Sequence, residues 1–329
     1  MSITTDLIKT SSTISPTIVE ILLEWEKESD LEENNRLRHY RIDTEKDFNK
    51  YDNLTKFKLY LEQNYNYVAL AYVDGKCAGM IGLSKGSIYL GELNNKCLPP
   101  CKDRPKGLFL CNLYVDKAFR HMKVGTELIK YSFEIARINK LDYLFLDCLT
   151  SNYRALWLYS KMGFISFSYE YVYTNNISRY NSADLTLIDL NDKNNKFILN
   201  SIKNKVDNEL SRSRFNFNDS YETGTTFIRM LQKLKLKCLS SVDKSISCCI
   251  CPNPNSNNCN LVGLVSSYSF KDIKKTQKYF KNLYGYLNKK FNIDALIFSD
   301  IFPEHRSFLN AVGCQAYITS MVHFIRYRR

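Results

Sequence analysis

The stretch AFRHMKVGTELI, residues 118–129, joins a basic, glycine-bearing turn to the start of an apolar helical pattern. The segment before it, GLFLCNLYV at residues 107–115, is strongly predicted to be a β-strand. The helix after it is predicted to carry one apolar stripe, formed by Val124, Leu128, Tyr131, Ile135 and Ile138. A helix that begins directly after a strand and turn presents unpaired amides and the positive end of its dipole. The stretch therefore predicts an anion site, with Arg120 and Lys123 adding positive charge beside it.

The residues of the turn exclude two common phosphate-binding motifs. A P-loop requires Gly-Lys followed by Ser or Thr, and a dinucleotide fingerprint requires G-x-G-x-x-G. Neither pattern occurs in the turn. The turn is therefore neither a P-loop nor a dinucleotide-binding turn.

The turn resembles the acetyl-CoA loop of the GNAT superfamily of N-acetyltransferases, whose pattern is R/Q-x-x-G-x-G/A-x-x-L. Arg120, Gly125 and Leu128 match this pattern, whereas Lys123 stands where the first glycine usually lies. A second segment, NYRALWLYSKMGF at residues 152–164, matches the superfamily signature N-x-x-A-x-x-x-Y-x-x-x-G-F in full. The two motifs occur in the expected order, each on the expected element, which makes the resemblance specific.

The resemblance covers residues 2–174 well, and the rest of the chain contains a degenerate second copy of the same sequence pattern. IDALIFSD, from Ile293, parallels LDYLFLDC, from Leu141, and Gly313 falls where Gly163 does. We therefore expect an α/β (α+β) fold with two GNAT-like domains. Each would be a mixed, mostly antiparallel twisted sheet flanked by helices, with a splay between two parallel strands in the first. The predicted borders are 1–182 for the acetyl-CoA-binding domain and 183–329 for a degenerate, non-catalytic one.

The resemblance implies that acetyl-CoA is the co-substrate and that it binds in the splay between the strands 107–115 and 141–149. Backbone groups of the first strand would hold the pantetheine arm, at Asn112, Leu113, Tyr114 and Val115. The loop would hold the pyrophosphate, with Arg120 beside the amides of His121, Met122, Lys123, Val124, Gly125 and Thr126. Asn152 would also contact the cofactor.

The resemblance also implies the chemistry, in which an amine attacks the thioester directly. Tyr159 resembles the general acid of the family, which protonates the departing thiolate. Glu92 and Asp147 are candidates for the base that removes a proton from the amine, and a chain of water molecules is an alternative. These roles predict a primary-amine acceptor, either a small metabolite such as an amino sugar or an amino group of a protein.

A different class of function remains open at this point. A non-catalytic CoA-binding or interaction module would keep the fold without turnover, and Lys123 in place of glycine favours that alternative. The intact pair Asn152 and Tyr159 favours the enzyme. The second half lacks the corresponding loop and tyrosine, because SYSFKDIKK at residues 267–275 has no glycine and Leu309 occupies the position of Tyr159.

Composition limits the remaining possibilities. The length of 329 residues predicts two domains of ordinary size. No run of about 18 apolar residues occurs, and the N-terminus does not resemble a secretory signal, so no membrane association is expected. The 11 cysteines are scattered and odd in number, which favours a reducing, cytoplasmic setting. The net charge of +12 is spread along the chain without a compact basic block, which disfavours nucleic acid as the main partner.

Two groups of cysteines could suggest a zinc site. Their members are Cys97 and Cys101 in the first group, and Cys248, Cys249, Cys251 and Cys259 in the second. Neither group has the paired C-x-x-C spacing of a structural zinc site, so we predict reduced cysteines and no metal.

Overall fold

The structure is a computed structural model. It describes residues 2–10, 14–40, 42, 53–86, 106–174, 184–188, 195–197, 200–201, 237–252, 258–266, 272–300 and 305–325. The candidate base Glu92 and the cysteines Cys97 and Cys101 lie outside these residues.

The strands and helices follow one another along the chain in two similar series. In chain order they are β1 (Ile3–Lys9), α1 (Pro16–Arg38), α2 (Leu54–Asn64), β2 (Tyr67–Val73), β3 (Lys76–Gly86), β4 (Gly107–Val115), α3 (Val124–Ile138), β5 (Tyr143–Leu149), α4 (Tyr153–Lys161), β6 (Ile165–Tyr173), β7 (Leu185–Leu187), β8 (Lys237–Ser241), β9 (Ile246–Pro252), β10 (Asn258–Ser266), α5 (Ile273–Phe291), β11 (Ala295–Asp300), α6 (Arg306–Val312) and β12 (Cys314–Phe324).

The chain divides into two compact units, and neither is continuous in sequence. The first comprises residues 1–36, 46–167 and 319–329, and the second comprises residues 37–45 and 168–318. This division differs from a single border between residues 182 and 183, because β6 and β12 each have residues in both units. The single border stays a sequence prediction for where the two repeats meet.

The first unit contains a six-stranded mixed sheet. Its strand order is β1-β2-β3-β4-β5-β12. The neighbours from β1 to β4 pair antiparallel, whereas β4 and β5 pair parallel. Buried side chains of α3 pack on one face of this sheet, and those of α1 and α2 belong to a separate cluster with β2 and β3. The predicted fold class, a mixed and mostly antiparallel sheet flanked by helices, is confirmed.

The second unit repeats the same strand order. Its sheet runs β7-β8-β9-β10-β11-β6, and β10 and β11 form the parallel pair. The sixth strand of each unit therefore comes from the other half of the sequence, since β6 follows the first series and β12 ends the second. The sequence pattern indicated the repeat but did not predict β12 or this exchange.

Local sequence signals account for several element boundaries. Ser15 caps α1 through its hydroxyl oxygen, 3.3 Å from the amide of Ile18, and Pro16 takes the first helical position. Asp74 and Gly75 both have positive φ, as a two-residue hairpin of type I′ requires. The cap of α4 is Asn152, because its side chain accepts a hydrogen bond from the amide of Ala155.

The first helix continues to Arg38, well beyond its apolar residues, and a Glu32–Arg36 pair one turn apart supports its polar half. Ile138 was predicted on the buried stripe of α3, but it is 79% exposed because the helix ends there. None of the described helices is long and apolar enough to cross a membrane.

The exchange of β12 predicts that the C-terminal strand stabilises the first unit. Val322 is 0% exposed and packs with Tyr143 and Phe167 in one cluster. Val322→Asp should lower the free energy of unfolding by about 3–5 kcal/mol, because it buries an unpaired charge. Chemical denaturation measures the effect, and Gln315→Asp, at an exposed position of the same strand, is the control. Equal stability of the two variants would show that the first unit does not need this strand.

Candidate functional site

The parallel strands β4 and β5 separate after four paired positions. Gly107–Leu110 pair with Tyr143–Leu146, and no further pairs of these two strands follow. On the other side of β4, Cys111 lies opposite Gly82 and Tyr114 lies opposite Met80. Between these two pairs, β4 has two residues where β3 has only one. The extra residue is a β-bulge, which bends a strand and raises its twist. The predicted splay between the two parallel strands is thereby confirmed.

The bulge contains an unusual backbone conformation. Asn112 has a φ of 47°, in the left-handed region that asparagine tolerates better than most residues. Beyond it, the backbone groups of Leu113, Tyr114 and Val115 on the β5 side have no ladder partner in β5. Such a strand edge can hydrogen-bond an extended amide-bearing ligand in place of a neighbouring strand.

The turn after β4 ends in an uncapped helix terminus. His121 and Lys123 have φ values of 68° and 66°, and Lys123 is the N-cap of α3 without a side-chain hydrogen bond to the first turn. The amides of Val124, Gly125 and Thr126 have no acceptor within the helix. Both His121 and Lys123 are exposed, so a phosphate group can approach these amides from solvent. Lys123 thus adopts the backbone conformation for which the family pattern uses glycine.

The side chain of Arg120 is engaged by protein groups. Its Nε donates to the carbonyl oxygen of Val115 at 3.1 Å, and one terminal nitrogen lies 3.0 Å from a carboxylate oxygen of Glu32 in α1. The guanidinium also lies 5.8 Å from the ring centre of Tyr114. Arg120 therefore braces the end of β4, and its positive charge at the turn is partly neutralised by Glu32.

Gly125 lies where two helices approach each other closely. A Cβ atom at this position would be 3.3 Å from a methyl group of Leu158 in α4. The glycine therefore allows α4 to pack against the first turn of α3, beside the uncapped amides. This contact joins the two sequence motifs in space.

Tyr159 projects from α4 into the buried core of the first unit. It is 8% exposed, and its ring packs against Phe164 with a centroid separation of 5.9 Å. Burial raises the pKa of Tyr159, and the neighbouring thiols of Cys148 and Cys111 raise it further. Cys111 lies on β4 and Cys148 on β5, so the tyrosine shares its surroundings with the two strands that separate. Its hydroxyl stays protonated at neutral pH.

The other candidate residues have defined contacts. Asn152 caps α4 with its side chain. Asp147 lies on β5 directly after the last residue paired with β4, and the hydroxyl of Ser320 donates to its carboxylate at 2.7 Å. Within the described part of the chain, no group of three or more His, Cys, Asp and Glu side chains is arranged to hold a metal ion.

Sequence reasoning missed the acidic side chains of α1 that contact this region. Glu26 is 1% exposed and accepts hydrogen bonds from Asn112 and Tyr60. Glu28 accepts from Tyr114 and Lys117, and these hydrogen bonds lower the pKa of its carboxyl group. The sequence contained one sign of this contact. Glu26 lies four residues after Leu22, on the apolar stripe of the helix, where a carboxylate is rarely found.

Comparison with known proteins concerns the same residues. The model of the Acetyltransferase (GNAT) family matches residues 21–164. Over 108 residues the chain is 29% identical to a curated protein named N-alpha-acetyltransferase 30, from Dictyostelium discoideum. That match covers 33% of this chain and 51% of the relative, so the chain spans about half the length of the relative it matches.

One solved structure with a similar fold matches 98% of this chain. A GCN5-related glucosamine N-acetyltransferase region of a fungal multi-domain GH3 β-N-acetylglucosaminidase has a TM-score of 0.53 and 11% identity, and the match covers 98% of this chain and 38% of that one. A tandem GNAT protein from the clavulanic acid biosynthesis pathway has a TM-score of 0.45 and 9% identity, with 100% of both chains covered. At 11% identity, the first similarity shows the fold alone.

Residues 21–164 thus resemble the acetyltransferase domain of the GNAT family. The family match includes the strand splay, the uncapped terminus of α3 and both sequence motifs. The resemblance on which the sequence prediction depended is therefore confirmed.

The left-handed conformation of Lys123 predicts that glycine is better tolerated there. Lys123→Gly should raise the free energy of unfolding by about 0.5–1 kcal/mol, because glycine adopts a positive φ without a steric cost. Lys123→Ala is the control, since it removes the charge but keeps a Cβ atom. Thermal or chemical denaturation measures both variants. A gain in the alanine variant as large as that in the glycine variant would assign the effect to charge rather than to backbone strain.

Proposed function

We propose that this protein transfers an acetyl group from acetyl-CoA to a primary amine. The observation that carries the proposal is the conjunction of the strand splay, the uncapped N-terminus of α3 and the buried, protonated Tyr159. When bound, acetyl-CoA supplies the thioester that the amine attacks. The family match supports acetyl transfer in general, whereas the mechanism and the acceptor are our inference.

The described residues fit the parts of acetyl-CoA. The part of β4 that does not pair with β5, at Leu113–Val115, suits the amides of the pantetheine arm. The amides of Val124, Gly125 and Thr126, with exposed His121 and Lys123, suit the pyrophosphate. Arg120 contributes through its hold on Val115 rather than as a free cation. Asn152 contributes by fixing the start of α4, which bears Tyr159.

Tyr159 is the proposed general acid. A phenol with a raised pKa is a poor proton donor in water. In this site, however, the same buried surroundings also destabilise the departing thiolate. Burial raises the pKa of the nearby Cys148 thiol to about 12. A departing thiolate in this environment gains proton affinity in the same way, so transfer from the tyrosine remains feasible. Even without full transfer, the hydroxyl can donate a hydrogen bond to the sulfur as negative charge develops.

Asp147 and Glu92 remain proposals for the base. Asp147 lies at the separation of β4 and β5, where an amine must approach, and Ser320 holds its carboxylate. A chain of water molecules is the alternative route for the proton.

The name of the curated relative favours one acceptor. That protein is an N-alpha-acetyltransferase, so we infer that the α-amino group of a protein or peptide is the first acceptor to test. A small-molecule amine such as an amino sugar is the second. A non-catalytic CoA-binding module remains the alternative function.

Release of CoA with a panel of acceptors tests the proposed activity. We expect turnover with peptides that carry a free α-amino group, and none with the same peptides after chemical acetylation. Turnover with amino sugars alone would reassign the acceptor class. Tight binding of acetyl-CoA without turnover on any amine of the panel would favour the non-catalytic module.

Tyr159→Phe should lower kcat about 10²- to 10⁴-fold with little change in the Kd for acetyl-CoA, because it removes the proton donor and keeps the packing. Tyr153→Phe, at an exposed position of the same helix, is the matched control and should keep the wild-type kcat. Steady-state kinetics and calorimetry provide the two measurements. A change in kcat below about threefold would assign Tyr159 to packing alone.

The second unit should add no cofactor site. Its corresponding helix, α5, is capped by Asp272, whose carboxylate accepts a hydrogen bond from the amide of Lys275. This carboxylate occupies the helix terminus and repels a phosphate group. Leu309, at the position of Tyr159, is fully buried and has no proton to donate. Titration calorimetry should give one acetyl-CoA per chain, and a stoichiometry of two would refute this inactive second repeat.

A further inference from the structure

Glu26 is a buried carboxylate at the bulge of β4. One carboxylate oxygen accepts a hydrogen bond from the side-chain amide of Asn112 at 2.5 Å and another from the hydroxyl of Tyr60 at 3.0 Å. The side chain of Tyr65 completes the cluster, because the Asn112 amide also donates to its hydroxyl oxygen at 2.6 Å. Glu26 thus links the middle of α1 to the one described residue of β4 that has a positive φ.

The contact constrains Asn112 through both hydrogens of its amide nitrogen. One hydrogen is directed to Glu26 and the other to Tyr65. A residue with a φ of 47° has an intrinsic conformational cost of about 1–2 kcal/mol, although asparagine tolerates it better than most. A hydrogen bond to a carboxylate is stronger than one between neutral groups. The Asn112–Glu26 bond is therefore well suited to hold the bulge in this conformation.

The burial of Glu26 is difficult to explain by stability alone. A carboxylate loses several kcal/mol of hydration when it is taken out of water, and an apolar side chain at this position would pack with the surrounding cluster. That cluster includes Leu22, Trp25 and Met80, all of which are buried. The gain that offsets this loss must therefore come from its polar partners, and the partner on β4 is Asn112.

The bulge governs where β4 leaves β5. The last pair of these strands is Leu110 with Leu146, and Asn112 lies two residues further along. If Asn112 relaxed to an extended conformation, the side chains and the backbone groups that follow it would change the side to which they point. The free edge at Leu113–Val115 depends on this local geometry.

We propose that Glu26 is a positioning residue, which holds the Asn112 bulge and thereby keeps the edge of β4 in register for the pantetheine arm of acetyl-CoA. This inference depends on the proposed function. It assigns to α1 a part in cofactor binding, although Glu26 itself does not contact the cofactor.

Two further glutamates of α1 make contacts that support this role. Glu28 accepts hydrogen bonds from Tyr114 and Lys117, and Glu32 pairs with Arg120. The three glutamates thus contact the bulge, the end of β4 and the turn in the order in which these follow along the chain. Glu26 is the buried member of the three, so it is the one with the largest expected effect.

The test compares three variants of the full-length protein. Glu26→Gln keeps a carbonyl oxygen that can accept from Asn112, whereas Glu26→Ala removes the acceptor. Glu24→Ala is the matched control, since Glu24 is an exposed glutamate of the same helix. We expect Glu26→Ala to raise the Kd and the KM for acetyl-CoA at least tenfold, with a smaller effect on kcat. Glu26→Gln should stay within about threefold of wild type in all three quantities, and Glu24→Ala should be unchanged.

Other outcomes would overturn the inference. A folded Glu26→Ala variant with wild-type Kd and KM would show that the bulge does not need the carboxylate. A Glu26→Gln variant with normal KM and a kcat lowered more than tenfold would place Glu26 in the chemistry instead. If Glu26→Ala does not fold, Asn112→Ala removes the same hydrogen bond and keeps the steric cost of a positive φ, so it should raise the KM as well. An unchanged KM in that variant would also refute the inference.

The wild-type protein distinguishes this inference from the proposed function. Absence of acetyl-CoA binding by the wild type would refute the proposed function and the positioning role together. Binding by the wild type that equals binding by Glu26→Ala would refute the positioning role alone.

Discussion

The separation of β4 from β5 after Leu110 and Leu146 is the constraint on which the rest of the candidate site depends. Parallel strands normally satisfy each other's backbone groups along their whole length. Here the pairing ends just before the bulge at Asn112, and the backbone beyond it has no ladder partner in β5. The same separation lets Tyr159 share its surroundings with the thiols of Cys111 and Cys148, one from each strand. A single interruption of the ladder thus creates both the proposed edge for acetyl-CoA and the dry surroundings of Tyr159, the proposed general acid.

The ends of two helices distinguish the first unit from the second. Both units have the same strand order, and both place a helix after the fourth strand. In the first unit the helix terminus carries Lys123 and no side-chain cap, whereas in the second Asp272 caps it. A carboxylate and a phosphate compete for the same amides and repel each other. The difference in proposed cofactor binding therefore depends on local electrostatics and not on the fold.

Each unit contains a strand from the other half of the sequence. The sixth strand of the first unit is the end of the chain, and the sixth strand of the second unit follows α4. Val322 contributes to a buried cluster with Tyr143 and Phe167, so the first unit is incomplete until the last residues are in place. This arrangement gives the second half a structural role in the first unit that does not require a second active site.

The sequence by itself determined most elements and the two motifs. Periodicity located α3, the positive φ values at Asp74 and Gly75 agree with their residue types, and the matches at Gly125 and Tyr159 predicted the family. These signals are local, because each depends on residues within a few turns or one strand pair. The tertiary structure decided three things that local signals do not contain. The partner of β12, the burial of Glu26 against Asn112 and the pairing of Arg120 with Glu32 join residues that are far apart in sequence. Strand pairing and hydrogen bonds between distant elements form only when the whole chain packs, so no short window of sequence records them.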